Sequence, residues 1–113
     1  MSDDPTISNP DHYRTLWENE FVRVLEYRDE PGATTTEHAH PNSVMVTLSG
    51  FRRRIFTGDR EVEVALEPGQ AVWLAAQEHT GQNIGHTPTH AVFIELKGDA
   101  AGAPGGAVGP LQP

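Results

Sequence analysis

Two of the six histidines in this chain have the spacing of paired metal ligands. They are His38 and His40, in the stretch "TTTEHAHPNS" that begins at residue 34. In an extended strand, residues i and i+2 project from the same face, so both imidazoles could approach a single ion. The threonines before them are β-branched and favour an extended chain. The pair alone is weak evidence, because six randomly placed histidines form an H-x-H pair roughly a quarter of the time.

The composition limits which metal ligands and which partners the chain can use. It has no cysteine, so any metal must be held by nitrogen or oxygen atoms. Its 16 acidic and 8 basic side chains give a formal net charge of -8, which disfavours nucleic acid and anionic membranes as partners. The N-terminal stretch does not resemble a signal peptide, and no apolar run approaches the ~20 residues that span a bilayer. We therefore expect a cytoplasmic protein.

Short apolar or alternating runs separated by turn residues predict an all-β fold, as a sandwich or a barrel. The runs are "EFVRVLEYR", "SVMVTLS", "FRRRIFT", "EVEVALE", "AVWLA", "TGQNI" and "HAVFIELK". The turns between them contain glycine or proline, and "TGDR" suits the tip of a hairpin. From Gly98 onward the chain is mostly glycine, alanine and proline, with little to bury. We therefore divide the chain into an N-terminal arm (1–12), a barrel (13–97) and a flexible tail (98–113).

Alternation of side chains assigns the arginines of "FRRRIF" to two faces. Arg52 and Arg54 are expected opposite the glutamates of "EVEVALE", as charge pairs on a solvated face. Arg53 falls instead on the face of Phe51 and Ile55. If that face lines a pocket, Arg53 could meet an anionic substrate.

The spacing of histidines, glycines and prolines around these strands resembles the cupin superfamily. Its first motif is glycine, five residues, H-x-H, three or four residues, glutamate, six residues and glycine. "PGATTTEHAHPNSVMVTLSG" matches this motif at Gly32, His38, His40 and Gly50. Its second motif runs from proline-glycine through a short strand and a P-x-G turn to a histidine, three residues and an asparagine. "PGQAVWLAAQEHTGQN" matches it at Pro68, Gly69, His79 and Asn83.

Two departures from these motifs concern the metal site. Counted from either end of the first motif, the family's glutamate falls within residues 43–45, which are serine, valine and methionine. Some small single-domain bacterial cupins also lack this glutamate. Ser43, Gln77 or water could replace it, and so could Glu37, although alternation turns Glu37 away. The P-x-G turn reads "AAQ" at 75–77, so that loop is expected to differ.

The resemblance implies a double-stranded β-helix, or jelly-roll, barrel with one metal held by His38, His40 and His79. Three neutral imidazoles suit iron, zinc, nickel or copper better than magnesium or calcium, and we expect Fe(II). Further residues assigned to the pocket or to the support of the ligands are Asn83, Gln77, Arg53, His90, Met45 and Trp73. Tyr27 and Phe93 are expected in the core or the pocket wall, and His86 in solvent.

Three functional classes are compatible with such a site, because one fold carries many functions. The absent carboxylate favours an Fe(II)-dependent, dioxygenase-type enzyme acting on a small organic molecule that coordinates the metal. The second class is a non-redox metal-dependent isomerase, lyase or cyclase, with His90, Glu95 or Tyr27 as the candidate bases. The third is a non-catalytic module that binds a small molecule. Many cupins pair through edge strands, so we expect a homodimer.

Overall fold

The computed structural model describes residues 4–110 and confirms the all-β prediction. The strands are β1 (Tyr13–Glu18), β2 (Val22–Asp29), β3 (His38–His40), β4 (Ser43–Thr47), β5 (Phe51–Thr57), β6 (Arg60–Leu66), β7 (Ala71–Leu74), β8 (Gln77–Asn83) and β9 (Thr89–Leu96). A short helix, α1 (Pro5–Ser8), precedes them, and a 3-10 helix (Gly98–Ala101) follows. Neither of these helices is long and apolar enough to cross a membrane.

The strands form two antiparallel sheets that face each other as a double-stranded β-helix. One sheet has the order β1-β2-β9-β4-β7, and the other has the order β3-β8-β5-β6. Most neighbours in these sheets are distant in sequence: β2 pairs with β9, and β3 pairs with β8. Both sheets turn one face inward, so alternate residues of most strands meet in a shared interior. This interior contains both the hydrophobic core and the histidines.

The hydrophobic core is formed by the inward-facing positions of both sheets. In β6, Val64 and Leu66 are buried while Glu61 and Glu63 are exposed, as the alternating pattern predicts. The buried hydrophobic cluster consists of Tyr13, Leu25, Tyr27, Met45, Phe51, Ile55, Val64, Leu66, Val72, Leu74, Ala91 and Phe93. Its members come from both sheets, so each sheet depends on the other for its buried face.

The hairpin of β5 and β6 follows the sequence prediction closely. Thr57 pairs with Arg60 across the "TGDR" turn. Arg54 lies opposite Glu63, and its Nη2 donates to Glu63 Oε1 at 2.8 Å. Arg52 lies opposite Ala65, so the predicted charge ladder is formed on the Arg54 side. Arg53 is turned inward and is only 7 % exposed.

Two strands were absent from the sequence prediction as separate runs. In β1, only Tyr13 is buried and the other five residues are exposed, because β1 is an edge strand with one covered end. The three-residue β3 is too short to give a periodic signal of its own. Edge strands β1 and β7 leave backbone groups for a second chain, and homodimerisation stays a prediction.

Both ends of the described chain contact the barrel. The side chain of Asn9 donates to the Thr36 carbonyl at 3.2 Å and accepts from the Thr36 N–H at 2.8 Å. The backbone N–H of Asn42 donates to the Ala101 carbonyl at 2.7 Å, and Val108 packs against the core. The predicted boundaries of arm, barrel and tail stay predictions, and residues 1–3 and 111–113 of that division lie outside the described residues.

Replacement of Leu25 by alanine tests where the core is centred. Leu25 is 0 % exposed, so the variant loses buried contacts and gains a cavity, and its free energy of unfolding should fall by about 2–5 kcal/mol. Leu48 is 51 % exposed, and Leu48→Ala is the matched control, with an expected change within about 0.5 kcal/mol. Denaturant titration followed by circular dichroism measures both, and equal losses would contradict this core.

Candidate metal centre

The three predicted histidines come together through the pairing of β3 with β8. Side chains alternate along β3, so His38 and His40 lie on its buried face and Ala39, between them, lies on the other face. The antiparallel register sets His38 directly opposite His79 on β8. The predicted extended conformation of the H-x-H pair is therefore what the structure contains, and β8 supplies the third imidazole.

The three imidazoles form one compact, buried cluster. One ring nitrogen from each lies within 4.8 Å of the corresponding nitrogens of the others. The ring centroids are 4.8 to 5.2 Å apart. His38 and His40 are 1 % exposed and His79 is 6 % exposed. These three buried histidines could hold a metal ion.

Each imidazole is oriented by an oxygen atom at its Nδ1 atom. The shortest contact of each Nδ1 is with an acceptor, so Nδ1 carries the proton and Nε2 carries the lone pair that a metal would use. Asn9 Nδ2 also lies 3.3 Å from His38 Nδ1, and the Tyr13 hydroxyl contacts the Nε2 atoms of His38 and His40. The acceptors are the Thr36 carbonyl for His38 at 2.7 Å, Glu95 Oε2 for His40 at 2.8 Å and Gln77 Oε1 for His79 at 2.7 Å. This donor set fits a transition metal bound through three neutral nitrogens.

Glu95, considered from the sequence only as a base, orients His40 instead. It is 2 % exposed, and its Oε1 accepts from Arg23 Nε at 3.0 Å and Nη2 at 2.9 Å. Arg23 also donates to Asp4 at 2.7 Å. Burial raises the pKa of Glu95, and the guanidinium of Arg23 opposes that rise. The buried carboxylate is therefore compensated by charge and hydrogen bonds on both oxygens.

Tyr13 is the site residue that sequence reasoning missed. Its hydroxyl lies 3.1 Å from His40 Nε2 and 3.3 Å from His38 Nε2, which are the nitrogens available to a metal. Burial raises the pKa of Tyr13 well above its usual range, so the side chain is a neutral phenol. Tyr13 reaches this position because β1 pairs with β2, opposite Tyr27, and no local spacing signals that long-range contact.

The histidines themselves are held neutral. Burial lowers the pKa of His38. Burial also lowers the pKa values of His40 and His79 well below their usual range, and the neighbouring histidines add to the effect. A neutral imidazole is the form that binds a metal, so burial keeps all three in the ligating state.

Comparison with solved structures identifies the fold family. The chain superposes on a cupin domain from Bordetella pertussis Tohama I with a TM-score of 0.70 and 28% sequence identity, covering 76% of this chain and 92% of that one. The chain has the cupin fold. An RmlC-like cupin from Methanocaldococcus jannaschii shares the fold at a TM-score of 0.60 and 14% identity, covering 74% of this chain and 77% of that one. A protein with a double-stranded β-helix domain from Klebsiella pneumoniae superposes with a TM-score of 0.59 and 22% identity, covering 76% of this chain and 71% of that one.

Comparison of the sequence with protein families and curated proteins gives no match. No protein family model matches the chain, and no curated protein matches it. The cupin assignment therefore rests on the fold and on the placement of the motif residues.

One of the three positions at which the cupin glutamate could fall is a serine whose hydroxyl makes no hydrogen bond within residues 4–110. Ser43 is 0 % exposed, and its fully enclosed Oγ makes no hydrogen bond to any residue from 4 to 110. Glu37 is exposed, as alternation predicted. Gln77 is committed to His79, so neither residue supplies a fourth ligand. Of the protein groups considered as replacements, only the Ser43 hydroxyl is left uncommitted.

A cavity of about 50 Å³ adjoins the histidines. At about 10–15 Å³ for each water-sized sphere, it has room for about four water molecules or a few heavy atoms of a ligand. His38, His79 and Tyr13 form part of its wall, and Arg53 forms another part. The apolar lining includes Met45, Phe51, Ile55 and Phe93. Met45 and Arg53 thus lie in the pocket wall, where the sequence prediction put them.

Two predicted pocket residues lie elsewhere, and a third does not contact the ligands. Trp73 is 38 % exposed because its neighbours Val72 and Leu74 take the inward positions of β7, so its assignment to the pocket is wrong. His90 is also wrong: it lies on the outer face of β9, where its Nε2 contacts Glu26 Oε2 at 2.7 Å. Asn83 is buried, but its side chain hydrogen-bonds Asp29 and the Thr87 carbonyl rather than an imidazole. His86 is exposed, as expected.

Residues 102–110, which we call the C-terminal strap, reach the cupin cavity. Gly109 and Pro110 form part of the cavity wall. The N–H of Gly109 donates to Gln77 Oε1 at 2.8 Å, and Gln77 Nε2 donates to the Gly109 carbonyl at 3.2 Å. The same Oε1 accepts from His79 Nδ1 at 2.7 Å. One side-chain amide therefore connects the strap to the third histidine.

The metal-free protein should lose stability on acidification. In the folded chain these histidines have lowered pKa values. Between about pH 7 and pH 5 they are therefore protonated in the unfolded chain but stay neutral in the folded chain. Stability is then present above about pH 6.5 and falls below it. Urea unfolding in the presence of a chelator measures this, and His79→Gln should reduce the slope. His86→Gln, at an exposed site, is the control, and an identical slope in His79→Gln would contradict the cause.

Substitution of Gly109 tests the connection from strap to histidine. Gly109 has φ +72°, and a Cβ there would lie 3.1 Å from Val62 Cγ1, so Gly109→Ala should displace the strap from Gln77. Loss of an outer hydrogen bond should weaken Zn(II) binding about 10-fold, measured by competition with a chromophoric chelator. Gly105→Ala is the matched control, because the nearest atom to its Cβ is 4.0 Å away. Equal affinity in both variants would show that Gln77 orients His79 without the strap.

Proposed function

We propose that this cupin is a mononuclear metal-dependent enzyme that acts on a small organic molecule coordinated to the metal, with Fe(II)-dependent dioxygenase-type chemistry. The observation that supports the proposal is the cluster of three buried, neutral imidazoles, each oriented through Nδ1, with no carboxylate among them. Structural zinc sites are usually closed by four protein ligands, whereas three ligands leave coordination positions open. The site is therefore built for a metal that also contacts a substrate.

The residues around the cluster would hold the metal and prepare its surroundings. His38, His40 and His79 would bind it through Nε2. Fe(II), when bound, would supply oxygen-dependent redox chemistry that no side chain of this protein can provide. The Tyr13 hydroxyl, beside two of the Nε2 atoms, is positioned to hydrogen-bond a ligand in that space. The apolar cavity wall limits access of bulk water, which strengthens electrostatic interactions inside.

The candidate bases for a non-redox mechanism are all committed elsewhere. His90 lies outside the cavity, on the outer face of β9. Glu95 is bonded to Arg23 and His40 through its two oxygens. The Tyr27 hydroxyl donates to Asp29. Isomerase, lyase or cyclase chemistry needs a free base near the substrate, so these contacts favour the oxygen-dependent class.

Elemental analysis of untagged protein, reconstituted anaerobically with Fe(II), tests the metal site directly. We expect about one metal per chain in the wild type, as a mononuclear site requires, and in the His86→Ala control, whose histidine is exposed. His79→Ala should bind far less, because two imidazoles remain. Metal retained in His79→Ala, or none in the wild type, would contradict the site.

Oxygen uptake then separates the functional classes. Addition of a diketone, thiol or catechol to the Fe(II) protein should start oxygen consumption that the His79→Ala variant lacks. Turnover without oxygen in the zinc-loaded protein would support the non-redox class instead. Ligand binding that a chelator does not change would support a binding module.

A further inference from the structure

Arg53 is a charged residue in the wall of the cavity that His38 and His79 also line. It lies on β5 and is 7 % exposed. Its Nη1 donates to Asp29 Oδ2 at 2.5 Å and to Thr89 Oγ1 at 3.0 Å, and its Nη2 donates to Tyr27 Oη at 3.1 Å. These contacts fix the guanidinium in one orientation before any ligand arrives.

One edge of this guanidinium has unused donors. Arginine has five N–H groups, and three of them are accounted for by the bonds to Asp29, Thr89 and Tyr27. The Nε–H and the second N–H of Nη2 make no hydrogen bond to any residue from 4 to 110. Nε and Nη2 form the side of a guanidinium that binds a carboxylate through two parallel hydrogen bonds.

The Nε and Nη2 edge of Arg53 lies beside Gly81, which has no side chain. A Cβ atom at Gly81 would be 2.9 Å from Arg53 Nη2 and 3.6 Å from Nε. Any side chain at position 81 would therefore displace the guanidinium. Gly81 follows His79 by two residues on β8, so both face the interior with Cα atoms about 7 Å apart. The guanidinium is thus the inward neighbour of the third histidine.

The charges in the cavity favour an anionic ligand. Asp29 is 5 % exposed and balances the charge of Arg53, which allows the pair to be buried without a ligand. A divalent metal on three neutral histidines would add two uncompensated positive charges to the same cavity. A ligand with one carboxylate would offset part of that charge and also satisfy the free edge of Arg53.

We propose that Arg53, in contact with Gly81, is the specificity-determining residue that binds the carboxylate of a small substrate whose second donor atom coordinates the metal. The inference rests on the proposed metal site and names its substrate class: a short monocarboxylate with a hydroxyl, thiol, amine or carbonyl group. The cavity of about 50 Å³ limits such a molecule to a few carbon atoms.

The test uses the full chain loaded with Co(II) and short mercaptocarboxylates as probes, with the matching neutral mercaptoamides for comparison. Sulfur bound to cobalt gives a charge-transfer absorption, so binding is read without any turnover. The wild type should bind each acid about tenfold or more tightly than its amide, as expected for a charge-assisted bidentate contact. This preference should be greatest for the one chain length that spans both groups.

Three variants and one control test whether Arg53 causes the tighter binding of the acid. Arg53→Lys keeps the charge and loses the planar fork, and Arg53→Met loses both, so each should reduce the acid preference. Arg53→Met leaves Asp29 buried without its partner, and that variant could fail to fold for this reason. Gly81→Ala retains Arg53 but displaces its guanidinium, so it tests the same contact without removing the charge. Arg54→Met, at the half-buried neighbouring position that faces away from the cavity and pairs with Glu63, should retain the wild-type preference. Circular dichroism and cobalt stoichiometry confirm that each variant is folded and loaded.

The outcomes separate this inference from the proposed function. Equal affinity for acid and amide in the wild type, or an unchanged preference in Arg53→Lys and Gly81→Ala, would overturn the role of Arg53 while the metal site stands. If the wild type bound no cobalt, the proposed function would fail. In that case butanoate and butanamide are titrated into the metal-free protein while the Arg53 Nε–H resonance is followed by NMR. A shift with butanoate alone supports the carboxylate site, and no shift overturns it.

Discussion

Three histidines can be buried side by side in this protein because each Nδ1–H is received by an oxygen. A buried imidazole without a partner would carry the full cost of its lost hydration, and three charged imidazoles within 4.8 Å would repel one another. The oxygens of Thr36, Glu95 and Gln77 remove the first problem, and burial removes the second by favouring the neutral form. The result is a set of lone pairs directed at a common space.

The barrel supplies those oxygens from separate parts of the chain. Thr36 precedes β3, Gln77 begins β8, and Glu95 lies in β9 on the opposite sheet. Glu95 is in turn held by Arg23 of β2. The orientation of each imidazole therefore depends on the packing of the two sheets, and the geometry of the cluster is a property of the whole barrel.

Local patterns in the sequence were enough to find most of the strands and the inward face of Arg53. Alternation is a property of the strand itself, so "FRRRIF" and "EVEVALE" could be oriented without knowing their neighbours. The cupin motifs supplied His79 as the partner of the H-x-H pair, and pairing of β3 with β8 brings the three together. These predictions concern either one strand or a motif spanning two.

Contacts made across the fold could not be found in the same way. Tyr13 reaches the histidines only through the register of β1 on β2, and Gly109 reaches Gln77 from 32 residues away. Trp73 was misplaced because its aromatic character suggested a pocket while the alternation of β7 sends it to solvent. His90 was misplaced because β9 turns Thr89 and Ala91 inward instead. Tyr13 and Gly109 depend on contacts between distant parts of the chain. For Trp73 and His90, alternation separates the two faces of the strand, and only the packing of the sheets decides which face is buried.

The side-chain amide of Gln77 links the position of the C-terminal strap to the orientation of His79. The strap forms part of the cavity wall, so movement of Gly109 and Pro110 would change the space beside the histidines. That movement breaks the Gly109 bonds to Gln77 and frees the amide that orients His79. The orientation of His79 is therefore most constrained while Gly109 is bonded to Gln77. One motion of the strap would accordingly change both the space beside the histidines and the constraint on His79.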